Sequence, residues 1–431
     1  MSELAEVRLW GRTIGAVLLE PQQRFCSFEY DPSFAGSGIE VSPLQMPLSR
    51  RVYRFPGLSI DSFHGLPGLL ADSLPDRFGN AVLDAWLQSR GRRHGSLNPI
   101  ERLCYVGSRG MGALEYRPLL REERDVAESL DVGALVELAS RVLRHREGLG
   151  THLNEADGLA TILRVGASAG GARAKAVIAW NPSTDEVRSG QVDAAEGFEH
   201  WLLKFDGVTW NRDHELADPL GYGAVEYAYS RMAKAAGIEM AECRLLEEGG
   251  RRHFMTRRFD RTADGRRLHM QSLGALAHLD FNQPGAHAYE QVFEVIRTLG
   301  LSSRVVEEQY RRMVFNILAR NQDDHVKNIA FLMDRDGGWS LAPAFDVTYS
   351  YNPSGAWTSR HQMTVGGKRD AFDREDLLEC GRRGMLVQGR ARRIVSEVRD
   401  AVSRWGDFAE EARVLPTHRD EIAANLRLDI A

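Results

Sequence analysis

Short apolar runs broken by glycine and polar turns open the chain. Glu6-Val7-Arg8-Leu9-Trp10 and Ile14-Gly15-Ala16-Val17-Leu18 predict a β-hairpin turning at Gly11-Arg12. The run from Leu66 to Pro75 leads into a helix expected near Phe78 to Gln88, and Arg90 to Ser96 reads as a polar linker. The charged stretch Arg121 to Asp125 closes this first module. Strands then dominate as far as Arg258: Thr161 to Val165, Ala176 to Trp180 and Trp201 to Phe205 are apolar runs separated by glycine or proline turns. One helix interrupts them, because Val225, Tyr229, Met232 and Ala236 recur at helical spacing and Gly237 follows as a C-cap. Two more strands flank Glu247 to Gly250. Further on the pattern is mainly helical: Val306, Tyr310, Met313, Ile317 and Leu318 mark one face, and a second amphipathic helix is expected over Ala391 to Trp405. No internal repeat or low-complexity tract appears.

Composition narrows the class without naming a chemistry. A chain of 431 residues can hold two or three domains with substantial cores. With 43% hydrophobic and 27% charged residues it reads as a globular protein in water. A net charge of -5 argues against strong binding of nucleic acid by the chain alone. Basic clusters at Arg382-Arg383 and Arg390 to Arg393 leave contact with DNA inside a complex open. The four cysteines lie far apart with no CxxC pair, which suits reduced thiols in a cytosol. Neither a signal peptide nor an apolar run of roughly 18 residues is present, so a cytoplasmic protein with no membrane partner is expected.

The densest chemistry lies between Asn316 and Asp346. A helix ends near Arg320, followed by the loop Asn321-Gln322-Asp323-Asp324-His325-Val326-Lys327-Asn328. Then come an apolar strand (Ile329 to Met333), a turn (Asp334 to Gly338), a second strand (Trp339 to Ala342) and Phe345-Asp346-Val347. Protein kinases use this order: helix, catalytic loop, hairpin, metal-binding aspartate. Asp323 and Asn328 also keep the D-x-x-x-x-N spacing of a catalytic base and a metal-binding asparagine. One carboxylate must accept a hydroxyl proton beside the γ-phosphate, while an amide oxygen and a second carboxylate, here Asp346, hold Mg²⁺. Asp324 competes with Asp323 but misses the spacing by one. His325 and Lys327 either orient the loop or a phosphate, or cap the turn.

Upstream, Lys204 sits inside the apolar run Trp201 to Phe205 and needs a partner, because a buried unpaired ammonium is costly. ATP phosphates and a helix carboxylate would supply one, and Glu226 is the candidate carboxylate. The small residues Gly166 to Ala172, followed by Arg173 and Lys175, could bring backbone N–H groups against phosphate oxygens. Gly166-Ala167-Ser168-Ala169-Gly170 also matches the G-x-S-x-G elbow of serine hydrolases. That motif must lead into a helix, whereas Ala176 to Trp180 reads as a strand.

Ser168 to Lys175, Leu203-Lys204-Phe205, Arg258-Phe259-Asp260-Arg261, Asp323 to Asn328 and Leu341 to Asp346 together resemble the HipA family of bacterial toxin kinases. The Leu66 to Leu74 segment is similar to that family's N-terminal module. The resemblance implies an α+β, two-lobed protein-kinase-like fold with a β-rich N-lobe, a mainly helical C-lobe and an added N-terminal α/β subdomain. The segments would be 1–120, 121–265 and 266–431. It implies a serine/threonine-protein kinase using ATP and Mg²⁺, whose substrate is a translation component such as an aminoacyl-tRNA synthetase, the glutamyl enzyme for example, with persistence as the outcome. A HipB-like helix-turn-helix antitoxin would bind it and bring it to operator DNA. By the same resemblance Lys204, Ser168, Ala169, Gly170, Gly171 and Lys175 would face ATP, Arg257 and Phe259 would contact adenine, Asp323 would be the base, and Asn328 and Asp346 would hold the metal. Ser168 would be the site of inhibitory autophosphorylation. Arg257 stands where the family often has Glu, and Arg173 where Gln is more usual. Two rival readings remain: a kinase-fold corepressor scaffold without catalysis, and a small-molecule or lipid kinase.

Overall fold

A computed structural model describes residues 3–20, 22–93, 95–118, 130–144, 173–190, 196–208, 220–262 and 264–430. The first sheet is antiparallel, in the order β4-β3-β2-β1-β5. Its strands are β1 (Leu4–Leu9), β2 (Arg12–Leu19), β3 (Cys26–Tyr30), β4 (Tyr53–Arg54) and β5 (Leu114–Arg117). The opening hairpin forms, but its turn is Trp10-Gly11, one residue earlier than expected. Both residues have positive φ (50° and 79°), as a tight hairpin turn demands. Trp10 accepts the less favoured conformation while its indole N–H donates to the Arg267 carbonyl at 2.8 Å.

The second sheet is built from β6 (Lys175–Trp180), β7 (Val187–Ser189), β8 (Glu199–Lys204), β9 (Cys243–Glu248) and β10 (Arg251–Arg257). Its antiparallel order is β7-β6-β8-β10-β9. The helix Tyr222–Ala235 packs on β10 and β9, and Gly237 ends it with φ 80°. Gly223 permits that packing: a Cβ there would lie 2.1 Å from the Arg252 carbonyl oxygen. The helix Arg77–Ser89, although early in the chain, buries Phe78, Val82 and Leu83 with Ile178, Trp201 and Leu203 of this sheet. Thr161 to Val165 and Arg121 to Asp125, expected as a strand and a module end, lie outside the described residues.

The remaining chain is mainly helical, with Tyr289–Thr298, Ser303–Leu318, Arg374–Arg383 and Gln388–Val402 around the largest core. The helix expected over Ala391 to Trp405 starts earlier and stops at Val402, and Trp405, buried at 1% exposure, opens a separate helix, Trp405–Glu411. A small third sheet sits at its edge: β11 (His269–Ser272), β12 (Ala330–Met333) and β13 (Trp339–Leu341), in that order. The β12–β13 hairpin was legible in sequence, whereas β11, only four residues with His269 and Gln271 at buried positions, was not. No helix among the described residues is long and apolar enough to cross a membrane.

The N-terminal sheet module docks on this framework through polar contacts and close packing, with Met333 of β12 buried in its core. The Asp72 carboxylate accepts from the Ser272 N–H (2.6 Å) and hydroxyl (2.9 Å). Gly68 lies against the Leu273–Ala277 helix so closely that a Cβ would meet the Ala275 carbonyl oxygen at 2.2 Å.

Candidate active site

Lys204 ends β8 with only 8% of its surface exposed. Its ammonium donates to Glu226 Oε1 at 2.5 Å, on the Tyr222–Ala235 helix, and to Asp346 Oδ1 from the other lobe. Burial works against the charge, but the two carboxylates outweigh it and hold the Lys204 pKa above its ordinary value. Glu226 Oε2 also faces Arg173 Nη1 at 3.4 Å, so one carboxylate serves two cations.

Two residues past Lys204, Asp206 fixes the geometry of that pair. Its buried carboxylate accepts from the Gly221 N–H (2.9 and 3.1 Å) and from the Gly223 N–H (3.3 Å), capping the helix that carries Glu226. A cap of this kind stabilises by about 0.5–2 kcal/mol. Asp206→Ala is therefore expected to lower unfolding stability by about 1–2 kcal/mol in urea melts; an unchanged midpoint would mean that the cap is energetically silent.

The loop from Asn321 to Asn328 separates its two adjacent acids. Asp324 is 4% exposed and saturated: it accepts from Tyr289 OH (2.8 Å), the Gln362 N–H (2.7 Å) and His361 Nδ1 (2.9 Å). Burial raises its pKa, and these partners reverse that and lower it. Asp323, by contrast, keeps 42% of its side chain exposed, with Trp357 Nε1 donating to Oδ1 at 2.7 Å. Protein displaces water from behind it and raises its pKa, with Asp346 and Asp324 adding to the rise against His325 and Trp357. The two acids thus differ in role: one braces the loop and the other points outward.

Asn328 spends its amide N–H on the Asp323 carbonyl at 2.8 Å. His325 Nδ1 accepts from the Lys327 N–H at 3.3 Å, capping the short turn Val326–Asn328, while Nε2 lies 3.8 Å from Asp323 Oδ1. Lys327 extends 4.7 Å over the Phe281 ring and lines a small cavity with Phe63, Gly68 and Asp72 of the N-terminal module. Asp346 follows the hairpin with φ 52°, a left-handed conformation sparsely used by non-glycine residues and frequent at functional sites. Burial would raise its pKa, but the Lys204 and Lys175 ammoniums pull it down to about 2. Asn328, His325 and Asp346 line one cavity with Asn316 and Phe345.

The other expected nucleotide contacts are placed less uniformly. Ser168, Ala169, Gly170 and Gly171 lie outside the described residues. Lys175 stands directly across from Lys204 in the β6–β8 register, so both side chains share a face. It is 1% exposed and pairs at 3.3 Å with Asp76, the N-cap of the Arg77–Ser89 helix. Burial pushes the Asp76 carboxyl up to about 6 even beside this lysine. Phe259 packs on Phe345 with centroids 5.5 Å apart. Arg257, 41% exposed, faces Glu199 and Glu242 at 3.5 and 3.8 Å.

Nothing in the one-dimensional pattern singles out Trp357, His361, Tyr289, Asp206 or Asp76.

A sheet lobe carrying Lys204 and Glu226 meets a helical lobe carrying Asp323, Asn328 and Asp346, which is the protein-kinase-like class of fold. The chain belongs to the HipA family: the HipA-like C-terminal domain matches residues 167–405 and the HipA N-terminal domain residues 5–117. The HipA chain of Shewanella oneidensis MR-1, solved with HipB and its operator DNA, aligns with 97% of this chain and 94% of its own at 17% identity and a TM-score of 0.67. Y4mE of Sinorhizobium fredii (strain NBRC 101917 / NGR234) is 28% identical over 191 residues, which are 40% of this chain. The matched region spans 44% of the length of Y4mE. The Helicobacter pylori proinflammatory kinase CtkA aligns with 54% of this chain and 89% of its own at 13% identity and a TM-score of 0.34, too low to bear on the fold.

Proposed function

We propose that this chain is an ATP- and Mg²⁺-dependent protein serine/threonine kinase of toxin type. The observation that carries this reading is the Lys204 ammonium held between Glu226 of one lobe and Asp346 of the other. In a kinase the lysine that pairs with nucleotide phosphates, its helix glutamate and the metal-binding aspartate must come together in this way.

The residues present fit a divalent cation. Asp346 stays ionised, and Asn328 uses its amide nitrogen on Asp323, leaving its amide oxygen as a donor. Mg²⁺ suits one or two protein oxygens together with substrate phosphates and water. Asp346 and Asn328 would hold it, and when bound it neutralises charge on the phosphates. Lys204 binds phosphate oxygens while Glu226 keeps it in place. Asp323 takes the proton of the acceptor hydroxyl as that oxygen bonds to the γ-phosphorus and the bond to the bridging oxygen breaks, releasing ADP. The transition state is loose, so these residues act mainly by position and charge.

The substrate class is a translation component, an aminoacyl-tRNA synthetase such as the glutamyl enzyme, and a HipB-like antitoxin restrains the kinase. Family membership supports both, and the Shewanella relative was solved with HipB and operator DNA. The acidic net charge of -5 suits a protein that reaches DNA through its partner. The experiment is incubation with ATP and Mg²⁺ beside Asp323→Ala, followed by intact mass and phosphopeptide mapping. One added phosphate on Ser168, absent in the variant, is expected. No phosphate on the chain or on a synthetase, after phosphatase pretreatment, would overturn the kinase in favour of a binding scaffold.

Phosphorylation of Ser168 would place a charge of about -1.5 to -2 in the loop that receives the γ-phosphate. Ser168→Asp, which carries part of that charge, is expected to weaken ATP binding in calorimetric titrations. Wild-type affinity in this variant would remove charge repulsion as the cause of self-inhibition.

A further inference from the structure

We infer that Trp357 is a positioning residue for the catalytic base: its indole N–H holds one oxygen of Asp323 and so assigns the other, Oδ2, to the acceptor hydroxyl. The inference rests on the kinase reading above. Trp357 Nε1 donates to Asp323 Oδ1 at 2.7 Å, and His325 Nε2 stands 3.8 Å from the same oxygen. Among the described residues no donor is hydrogen-bonded to Oδ2, and the Asp323 side chain remains 42% exposed. Both neighbours gather on one oxygen, and the open side is left to a substrate.

The main chain that carries the indole is held in place. The Gln362 side chain donates to the Trp357 carbonyl (2.6 Å) and to the Gln322 carbonyl in the catalytic loop (3.2 Å). The Gln362 N–H and His361 Nδ1 hold Asp324 at 2.7 and 2.9 Å. His361 and Gln362 are 0% and 3% exposed. Residues 357–362 are thus clasped to residues 322–324, and the donor reaches Asp323 from a fixed main chain. An indole N–H donates and cannot accept, so Trp357 does not compete for the proton. It stops the carboxylate from rotating while Oδ2 takes that proton and the hydroxyl oxygen bonds to phosphorus. Near-attack geometry of this kind is sensitive to misplacement of about 1 Å.

Trp357→Phe keeps an aromatic ring and removes only the donor. Its kcat is expected to fall roughly 10- to 100-fold, with KM for ATP and the thermal midpoint unchanged. An unchanged kcat would overturn the proposal, and a raised kcat would do so by showing that the indole blocks the acceptor. A readout independent of turnover is the indole ¹H–¹⁵N signal of Trp357, one of eight in the chain, identified by its loss in Trp357→Phe. It should move upfield in Asp323→Ala as the charged acceptor disappears; a stationary signal would overturn the contact itself. If the wild-type protein transfers no phosphate while this signal does move, the kinase reading fails and the hydrogen bond stands.

Discussion

Asp323→Ala is expected to lower kcat by roughly two to four orders of magnitude, the usual contribution of a general base. ATP should bind almost as before, because Lys204, Glu226 and Asp346 make their contacts without Asp323. Steady-state turnover and calorimetric nucleotide titration measure the two effects separately. The neighbouring acid gives the contrast. Asp324→Ala leaves Tyr289, His361 and the Gln362 N–H without their acceptor in a buried site. It should therefore lower the thermal midpoint, whereas Asp323→Ala, at a side chain 42% exposed, should not. Near wild-type turnover in Asp323→Ala would remove it as the base. A midpoint drop in Asp323→Ala equal to that of Asp324→Ala would show that both acids brace the loop.

That contrast was half legible in the sequence. The spacing of Asp323 and Asn328 lies within one loop, and Asp346 follows an apolar strand, a polar glycine turn and a second strand, so local pattern and motif order were enough to select them. Lys204 was legible for another reason: a lysine in an apolar strand implies a partner, and a helix with one inward-facing glutamate follows. Asp324 could only be set aside by spacing, since its saturation comes from Tyr289, His361 and Gln362, which reach it through tertiary packing. Trp357 is closer still in sequence but has no periodicity or motif that aims it at Asp323. Contacts between the N-terminal module and the lobes, such as Asp76 with Lys175, were hidden for the same reason. Lys175 read as a phosphate contact because it follows a glycine-rich run; its place opposite Lys204 and its pairing with a carboxylate from another segment come from the fold.

The second large effect is on stability and concerns Asp260. Its carboxylate is fully buried and accepts from Arg258 Nε (2.9 Å) and Nη2 (2.6 Å), Arg261 Nη1 (2.8 Å) and the Gly112 N–H (2.7 Å). The last contact ties the end of β10 to the N-terminal module just before β5. Burial alone would raise its pKa, but the two guanidiniums hold it well below the ordinary Asp value. Burial likewise brings Arg261 down to about 9 even with Asp260 beside it. Removing one partner of a buried ion network leaves the remaining charges uncompensated and costs about 3–5 kcal/mol, although exchanging the whole network for apolar groups can be neutral. Asp260→Ala is expected to lose about that much in urea melts at neutral pH. The sign of the pH dependence follows from the depressed folded-state pKa. The contribution of Asp260 is fully present above the unfolded-state value of about 3.9 and is lost as pH falls through the lower folded value. The gap between wild type and variant should therefore be widest at neutral pH and narrow only below about pH 4. A gap under about 1 kcal/mol at neutral pH would mean that Arg258 and Arg261 find water or other acceptors once Asp260 is gone. In that case the N-terminal module would be held by its Trp10, Asp72 and Gly68 contacts with residues 267–278 rather than by this network.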